Sequence, residues 1–277
     1  MAKRIIVAVV CVPLLFIVMF FLPPYVFTGV VALICAISAY ELLNAIGGKG
    51  NDRIRIYATF SAVLIPIGAY FDLTKLVFPA VFLVLMCLLF LEAIIVFRTI
   101  RQIKLSQILI VIFGGALIPL MLSSLIDMRL MPEGRLIVLL PVISAFITDG
   151  GAYFTGMAFG KKKAFPNVSP KKTVEGCIGG LAIGTVSLLI YGVVLFATTF
   201  HQIVFWALLL YGIIGAAVTQ LGDLAFSLIK REYDVKDYGR IIPGHGGMLD
   251  RFDSMVFAAP AMYLLMSVIP AIIVRSF

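Results

Sequence analysis

Apolar runs of about 20 residues recur from one end of this chain to the other, each closed by a short polar interval. Twenty helical residues rise about 30 Å, the thickness of a bilayer's hydrocarbon core. Hydrophobic residues make up 62% of the 277 positions and charged residues only 13%, a balance no soluble domain of this size requires. The pattern predicts an all-α, polytopic integral membrane helix bundle. Polar punctuation places about nine transmembrane helices at roughly 4–22, 25–46, 54–71, 74–97, 105–127, 135–159, 175–199, 203–229 and 250–274. Pro23-Pro24 divides the first from the second because proline cannot continue the hydrogen-bond ladder. Gly47-Gly48, Asp72, Arg98–Lys104 and Pro132 mark later boundaries. The N-terminal MAKR followed by Ile5–Leu22 is too long an apolar run for a signal peptide and lacks a small-residue cleavage site, so it reads as a retained first span. Cys11, Cys35, Cys87 and Cys177 all lie within apolar runs and read as small buried hydrophobes, with no disulfide or zinc spacing.

Basic residues fix the orientation. Of the 22, only Lys75, Arg129, Arg135 and Arg275 fall in one alternate set of connections; the other eighteen all fall in the complementary set. Cytoplasmic loops carry the excess of Lys and Arg, so the N-terminus and every basic loop are expected in the cytoplasm and the C-terminus outside. The net charge of +8 is then a property of topology, and nucleic acid is not an expected partner. The chain divides into residues 1–130, about five spans serving as lipid-facing, dimer or scaffold helices, and residues 131–277, expected to carry the chemistry with cytoplasmic loops 160–174 and 230–250. No internal repeat stands out, which counts against an inverted-repeat transporter.

Carboxylates inside apolar spans are costly unless paired or ligated, and they mark functional sites. Glu41, Glu92, Asp149, Glu175, Asp223, Asp250 and Asp253 all fall in the cytoplasmic halves of their spans. For Glu41 and Glu92, single acids near a helix end, a cap or a partner for a loop lysine is the plainer expectation. The interval Ser227–Asp253, SLIKREYDVKDYGRIIPGHGGMLDRFD, is denser. Asp223, Ser227 and Lys230 share one face of the eighth span, and Asp250 and Asp253 share one face at the start of the ninth. Three carboxylates flanking one loop make oxygen ligands suited to a hard divalent cation such as Mg²⁺. Helix-dipole compensation would account for Asp250 or Asp253 but not for Asp223, two turns inside its span. Between them, Pro243-Gly244-His245-Gly246-Gly247 allows backbone N–H groups to approach a phosphate, beside Lys230, Arg231, Lys236 and Arg251. His245 reads as a turn-former or phosphate donor rather than a general base.

A second polar cluster runs from Thr148 to Gly176, TDGGAYFTGMAFGKKKAFPNVSPKKTVEG. Asp149 and Tyr153 share a helical face. Lys161–Lys163 read as loop charge, whereas Ser169, Lys171, Lys172 and Thr173 place two hydroxyls and two ammonium groups just before a helix opening at Glu175-Gly176, a set able to hold a polyphosphate.

The segment Ser227…Lys230-Arg231…Lys236-Asp237…Gly239…Pro243-Gly244-His245-Gly246-Gly247…Asp250-Arg251-Phe252-Asp253 resembles the signature of the phosphatidate cytidylyltransferases, or CDP-diacylglycerol synthases. Asp149…Ala152-Tyr153…Gly160-Lys161 and Ser169–Gly176 are similar to the same family, departing at Gly150 and Val174, where it often carries threonine and tryptophan. The resemblance covers roughly the second half of the chain. It implies Mg²⁺-dependent condensation of CTP with phosphatidic acid to CDP-diacylglycerol and pyrophosphate, at the cytoplasmic face of a bacterial inner membrane. On that reading Asp223, Asp250 and Asp253 hold the metal. Lys172, Lys230 and Arg231 neutralise phosphates with Ser169, Thr173 and the Gly246-Gly247 backbone, and Asp149 and Tyr153 orient the site or assist a second cation. The expected partners are CTP, phosphatidic acid and the lipid bilayer, with a homodimer left open. Two alternatives remain: a CTP-dependent polyprenol or phytol kinase, and a cation-coupled transporter whose acids bind the coupling ion.

Overall fold

The computed structural model describes residues 13–47, 52–242 and 246–273. The chain forms two compact units, one of residues 1–130 with 233–252 and one of residues 131–232 with 253–277.

The first unit contains a helix over residues 13–20 (α1), then α2 (Pro24–Ile46), α3 (Asp52–Tyr70), α4 (Thr74–Ile95) and α5 (Leu105–Leu130). Pro24 occupies the first turn of α2, where a missing N–H costs nothing. Asp72 and Arg98, both at positive φ, stand in the turns that follow α3 and α4. Leu43, Ile54, Ile65, Leu85, Leu89 and Val111 form the core of this unit. α5 contains one π turn, Phe113–Leu117, centred on Gly114-Gly115. A side chain on Gly115 would stand 2.8 Å from the Ala58 Cα, so glycine lets α5 press against the α3 backbone there. The Ser61 hydroxyl occupies the same seam, 2.8 Å from the Gly115 carbonyl that accepts its proton.

The second unit contains α6 (Gly134–Phe159), a hairpin of β1 (Lys163–Phe165) and β2 (Ser169–Thr173), α7 (Val174–Thr198) and α8 (Phe205–Glu232). The last helix, α9 (Leu249–Val268), begins in the first unit and continues in the second. A two-residue pairing of β3 (Gln202–Ile203) with β4 (Ile272–Ile273) completes it. The interval expected to be a loop at 160–174 is thus largely an antiparallel hairpin, with Lys163 opposite Thr173 and Phe165 opposite Ser169.

α6 and α7 meet along two stripes of small residues at four-residue spacing, Thr148-Ala152-Gly156-Gly160 and Gly176-Gly180-Gly184. A Cβ on Gly180 would lie 2.8 Å from the Ala152 Cβ and 2.9 Å from the Thr148 carbonyl oxygen. Lipid tails are as apolar as leucine, so close van der Waals contact of this kind is what drives helices together in a bilayer. α8 joins the pair in the same way: a Cβ on Gly212 would lie 2.6 Å from the Thr185 Cα.

Among the described helices α2, α4, α5, α6, α7 and α8 are long and apolar enough to cross a membrane. α4 keeps Leu76, Leu83, Leu91 and Ile94 exposed, as a hydrocarbon environment permits. The protein is a multi-pass membrane protein. α3 and α9 have 19 and 20 residues and open on charged residues. The expected first span over 4–22 lies partly outside the described residues.

Candidate active site

In the second unit the hairpin and three helices bring charged side chains together. Successive residues of a strand face opposite sides, so β2 leaves Lys171 exposed while Lys172 turns inward. The Lys172 Nζ reaches the Asp223 Oδ2 of α8 at 2.5 Å, with only 17% of the lysine and 27% of the aspartate side chain exposed. Two turns further along α8, the Lys230 Nζ stands 3.9 Å from the Asp253 Oδ2 of α9. Asp253 is buried, and its Oδ1 accepts the Ser254 N–H at 2.8 Å. The Ser254 hydroxyl donates to the Asp149 Oδ2 at 2.7 Å, tying α6 to α9. Asp253 is in electrostatic reach of Asp223, Asp149 and Lys230.

The backbone that carries Lys172 is itself fixed. Thr173 is buried and caps α7, its Oγ1 accepting the Gly176 N–H at 3.1 Å. The Glu175 carboxylate accepts the Lys161 and Lys162 N–H groups at 3.1 and 3.3 Å, and the Arg231 Nε donates to the Val168 carbonyl at the hairpin turn, 3.2 Å away. Arg231 therefore steadies the hairpin from an exposed position.

Asp149, Asp223 and Asp253 outnumber Lys172 and Lys230, and in an apolar bundle each uncompensated charge costs about 3 kcal/mol. An all-oxygen donor set with excess negative charge fits a hard divalent cation. Among the described residues no group of three or more His, Cys, Asp or Glu side chains could hold a metal ion by itself. A closed cage of three carboxylates is therefore not preformed among them. Mg²⁺ does not require one, since it commonly takes one or two carboxylates and completes its shell with water and substrate phosphates.

In the first unit Asp250 orders the backbone that precedes it. It is buried, and its Oδ2 accepts the N–H groups of Tyr238 at 2.9 Å and Gly247 at 3.0 Å. Gly246 takes φ +88, a left-handed conformation natural to glycine, and a Cβ there would stand 3.0 Å from the same Oδ2. The Gly247 N–H, expected to be able to approach a phosphate, here donates to Asp250. Glu41 enters the same segment, its Oε2 accepting the Leu249 N–H at 3.1 Å.

The family model described as "Cytidylyltransferase family" matches residues 2–269. The chain belongs to the cytidylyltransferase family. Among curated relatives, the phosphatidate cytidylyltransferase of Bacillus subtilis is 48% identical over 120 residues, 43% of each chain. That of Staphylococcus haemolyticus is 46% identical over 134 residues, and that of Staphylococcus aureus 45% over the same length, each covering 48% of this chain and 50% of the relative. The chain spans about half the length of the curated relatives it matches.

Set against the sequence, this family member gathers Asp149, Lys172, Asp223, Lys230 and Asp253 in one unit and Asp250, Gly246 and Gly247 in the other. Ser227 is half-buried on α8 between Asp223 and Lys230, and Ser169 half-buried on β2. Lys236 and Arg251 are exposed. Tyr153 is 65% exposed and meets the Phe154 ring edge-on. His245 lies outside the described residues. Of the two solitary acids, Glu92 pairs with Arg53 at 3.0 Å and accepts from Tyr57, an ordinary structural arrangement. Glu41 meets backbone rather than a basic side chain, and its one signal in the sequence was a lone carboxylate in an otherwise apolar helix.

Proposed function

We propose that the chain is a phosphatidate cytidylyltransferase, joining CTP to phosphatidic acid to give CDP-diacylglycerol and pyrophosphate. The observation that carries this reading is the pair of lysine–carboxylate contacts, Lys172 with Asp223 and Lys230 with Asp253, in the interior of one helical unit. The names of the curated relatives agree with it. Two polyanions have to meet in this reaction, and a phosphatidate oxygen is already anionic near neutral pH, so charge neutralisation and in-line placement matter more than a general base.

A lysine is a point charge on a flexible four-carbon stem. Lys172 and Lys230 can exchange their carboxylate partners for nucleotide phosphates with little backbone movement, which frees Asp223 and Asp253. A magnesium ion held by those two aspartates and by phosphate oxygens would supply further neutralisation of the developing charge. Asp149, fixed by Ser254, keeps the α6 side of the cluster polar. The phosphatidate oxygen forms a bond to the α-phosphorus of CTP, the bond from that phosphorus to the bridging oxygen breaks, and pyrophosphate departs with the electron pair. The reading also places nine spans in a bacterial inner membrane, with the N-terminus and the site on the cytoplasmic side and most chemistry within residues 131–277.

The test is purified protein in detergent with phosphatidic acid, CTP and Mg²⁺, following pyrophosphate and lipid products. Pyrophosphate and CDP-diacylglycerol in equal amounts, both abolished by EDTA, are expected. Formation of CDP and a phosphorylated polyprenol or phytol instead would replace the reading with the kinase, and cation-dependent solute uptake without either product would replace it with a transporter.

A further inference from the structure

Glu41 lies in the last third of α2 with 3% of its surface exposed. A buried carboxylate in such a helix has to be satisfied by something, and here it is backbone. Its Oε2 accepts the N–H of Leu249, the first residue of α9, at 3.1 Å. The first N–H groups of a helix have no partner within the helix and carry its positive dipole end, so an anion is the favoured cap. Glu41 supplies that cap from a point 208 residues earlier in the chain.

Two glycines make room for it. A Cβ on Gly247 would stand 2.6 Å from the Glu41 Oε1, and a Cβ on Gly239 would overlap the carboxyl group and lie 2.8 Å from its Cγ. Among the described residues the buried Glu41 Oε1 has no hydrogen-bond partner, and the two glycines pack against it. The residues Glu41 touches alternate with those Asp250 holds: Asp250 takes Tyr238 and Gly247, and Glu41 packs on Gly239 and Gly247 and takes Leu249. Within this unit the backbone at Tyr238–Gly239 and at Gly247–Leu249 is therefore held between two carboxylates.

We infer that Glu41 is a positioning residue for the backbone at 238–239 and 247–250. It fixes where α9 starts and so where Asp250, the second residue of that helix, projects. The kinetic part of this inference rests on the activity proposed above; the structural part does not.

The test uses the full-length protein in detergent with Glu41→Ala, the near-isosteric Glu41→Gln, Gly239→Ala and the Glu41→Ala/Gly239→Ala double variant. Hydrogen exchange of peptides spanning 237–250 is read first. Glu41→Ala should speed exchange there by about tenfold, the effect of losing a helix cap, with α6–α8 peptides unchanged. Glu41→Gln keeps an acceptor and should give a smaller increase, which covers the case in which the alanine variant does not fold. Gly239→Ala should be disruptive when Glu41 is present and much less so when Glu41 is alanine, because the overlapping carboxyl group is gone. In the cytidylyl-transfer assay Glu41→Ala should lower kcat about tenfold or more with the phosphatidate KM unchanged. Exchange that does not change in either Glu41 variant, or a Gly239→Ala defect equal in both backgrounds, would overturn the inference. If wild-type protein makes no pyrophosphate yet the exchange and steric results hold, the positioning role stands and the proposed activity falls.

Discussion

Breaking the Lys172–Asp223 pair offers a sharp measure of the site. At 2.5 Å and an effective dielectric constant near 20, two unit charges attract by about 7 kcal/mol before desolvation is counted. Most of that is cancelled by taking both groups out of water. Fully exposed pairs contribute roughly 0–1 kcal/mol, whereas truncating one partner of a fully buried pair costs about 3–5 kcal/mol. With side-chain exposures of 17% and 27%, this pair lies between, and we expect a coupling energy of about 2 kcal/mol. The assay is a double-mutant cycle of Lys172→Met, Asp223→Asn and the double variant, with reversible unfolding in mixed micelles followed by circular dichroism. Each single variant leaves one charge unmatched, and the double variant should recover much of the loss. In parallel, Lys172→Met should weaken CTP use, because the same ammonium group is expected to meet the nucleotide. A coupling energy below about 0.5 kcal/mol would refute the reasoning, since it would mean that the two groups are not partners in the folded protein.

Gly180→Val should destabilise the second unit by about 1–3 kcal/mol through overlap with Ala152 and the Thr148 carbonyl, measured by the same unfolding transition. Thr173→Ala should cost about 1 kcal/mol by removing the α7 cap, and Thr173→Ser should restore most of it because the capping oxygen is kept.

The long apolar helices were legible because lipid imposes a simple rule, about twenty apolar residues for each crossing, and α2 and α4–α8 obey it. That Asp223 and Lys230 share one helical face was legible from spacing alone. The hairpin was not. Its strands are three and five residues long and rich in lysine, and nothing in their alternation distinguishes them from a basic cytoplasmic loop. The π turn at Gly114-Gly115 packs against Ala58 and Ser61, which are on another helix. Glu41 shows the limit most plainly. Its partner is a backbone N–H far along the chain, and backbone groups leave no mark in a sequence. The glycines at 239 and 247 were visible, one as part of the family signature and the other as backbone able to approach a phosphate, but not as the space a carboxylate needs.

The contact between α6 and α7 is made largely of backbone and single small atoms, so it behaves as a weld and not as a bearing. Two helices separated by long side chains can slide, because rotamers change to follow the shift. Gly176, Gly180 and Gly184 have no rotamers, and displacing them along Thr148, Ala152 and Gly156 replaces contact with overlap. The frame around Asp149, Asp223 and Asp253 is then too stiff to shape itself around different ligands. Adaptation within this unit falls to the four-carbon stems of Lys172 and Lys230.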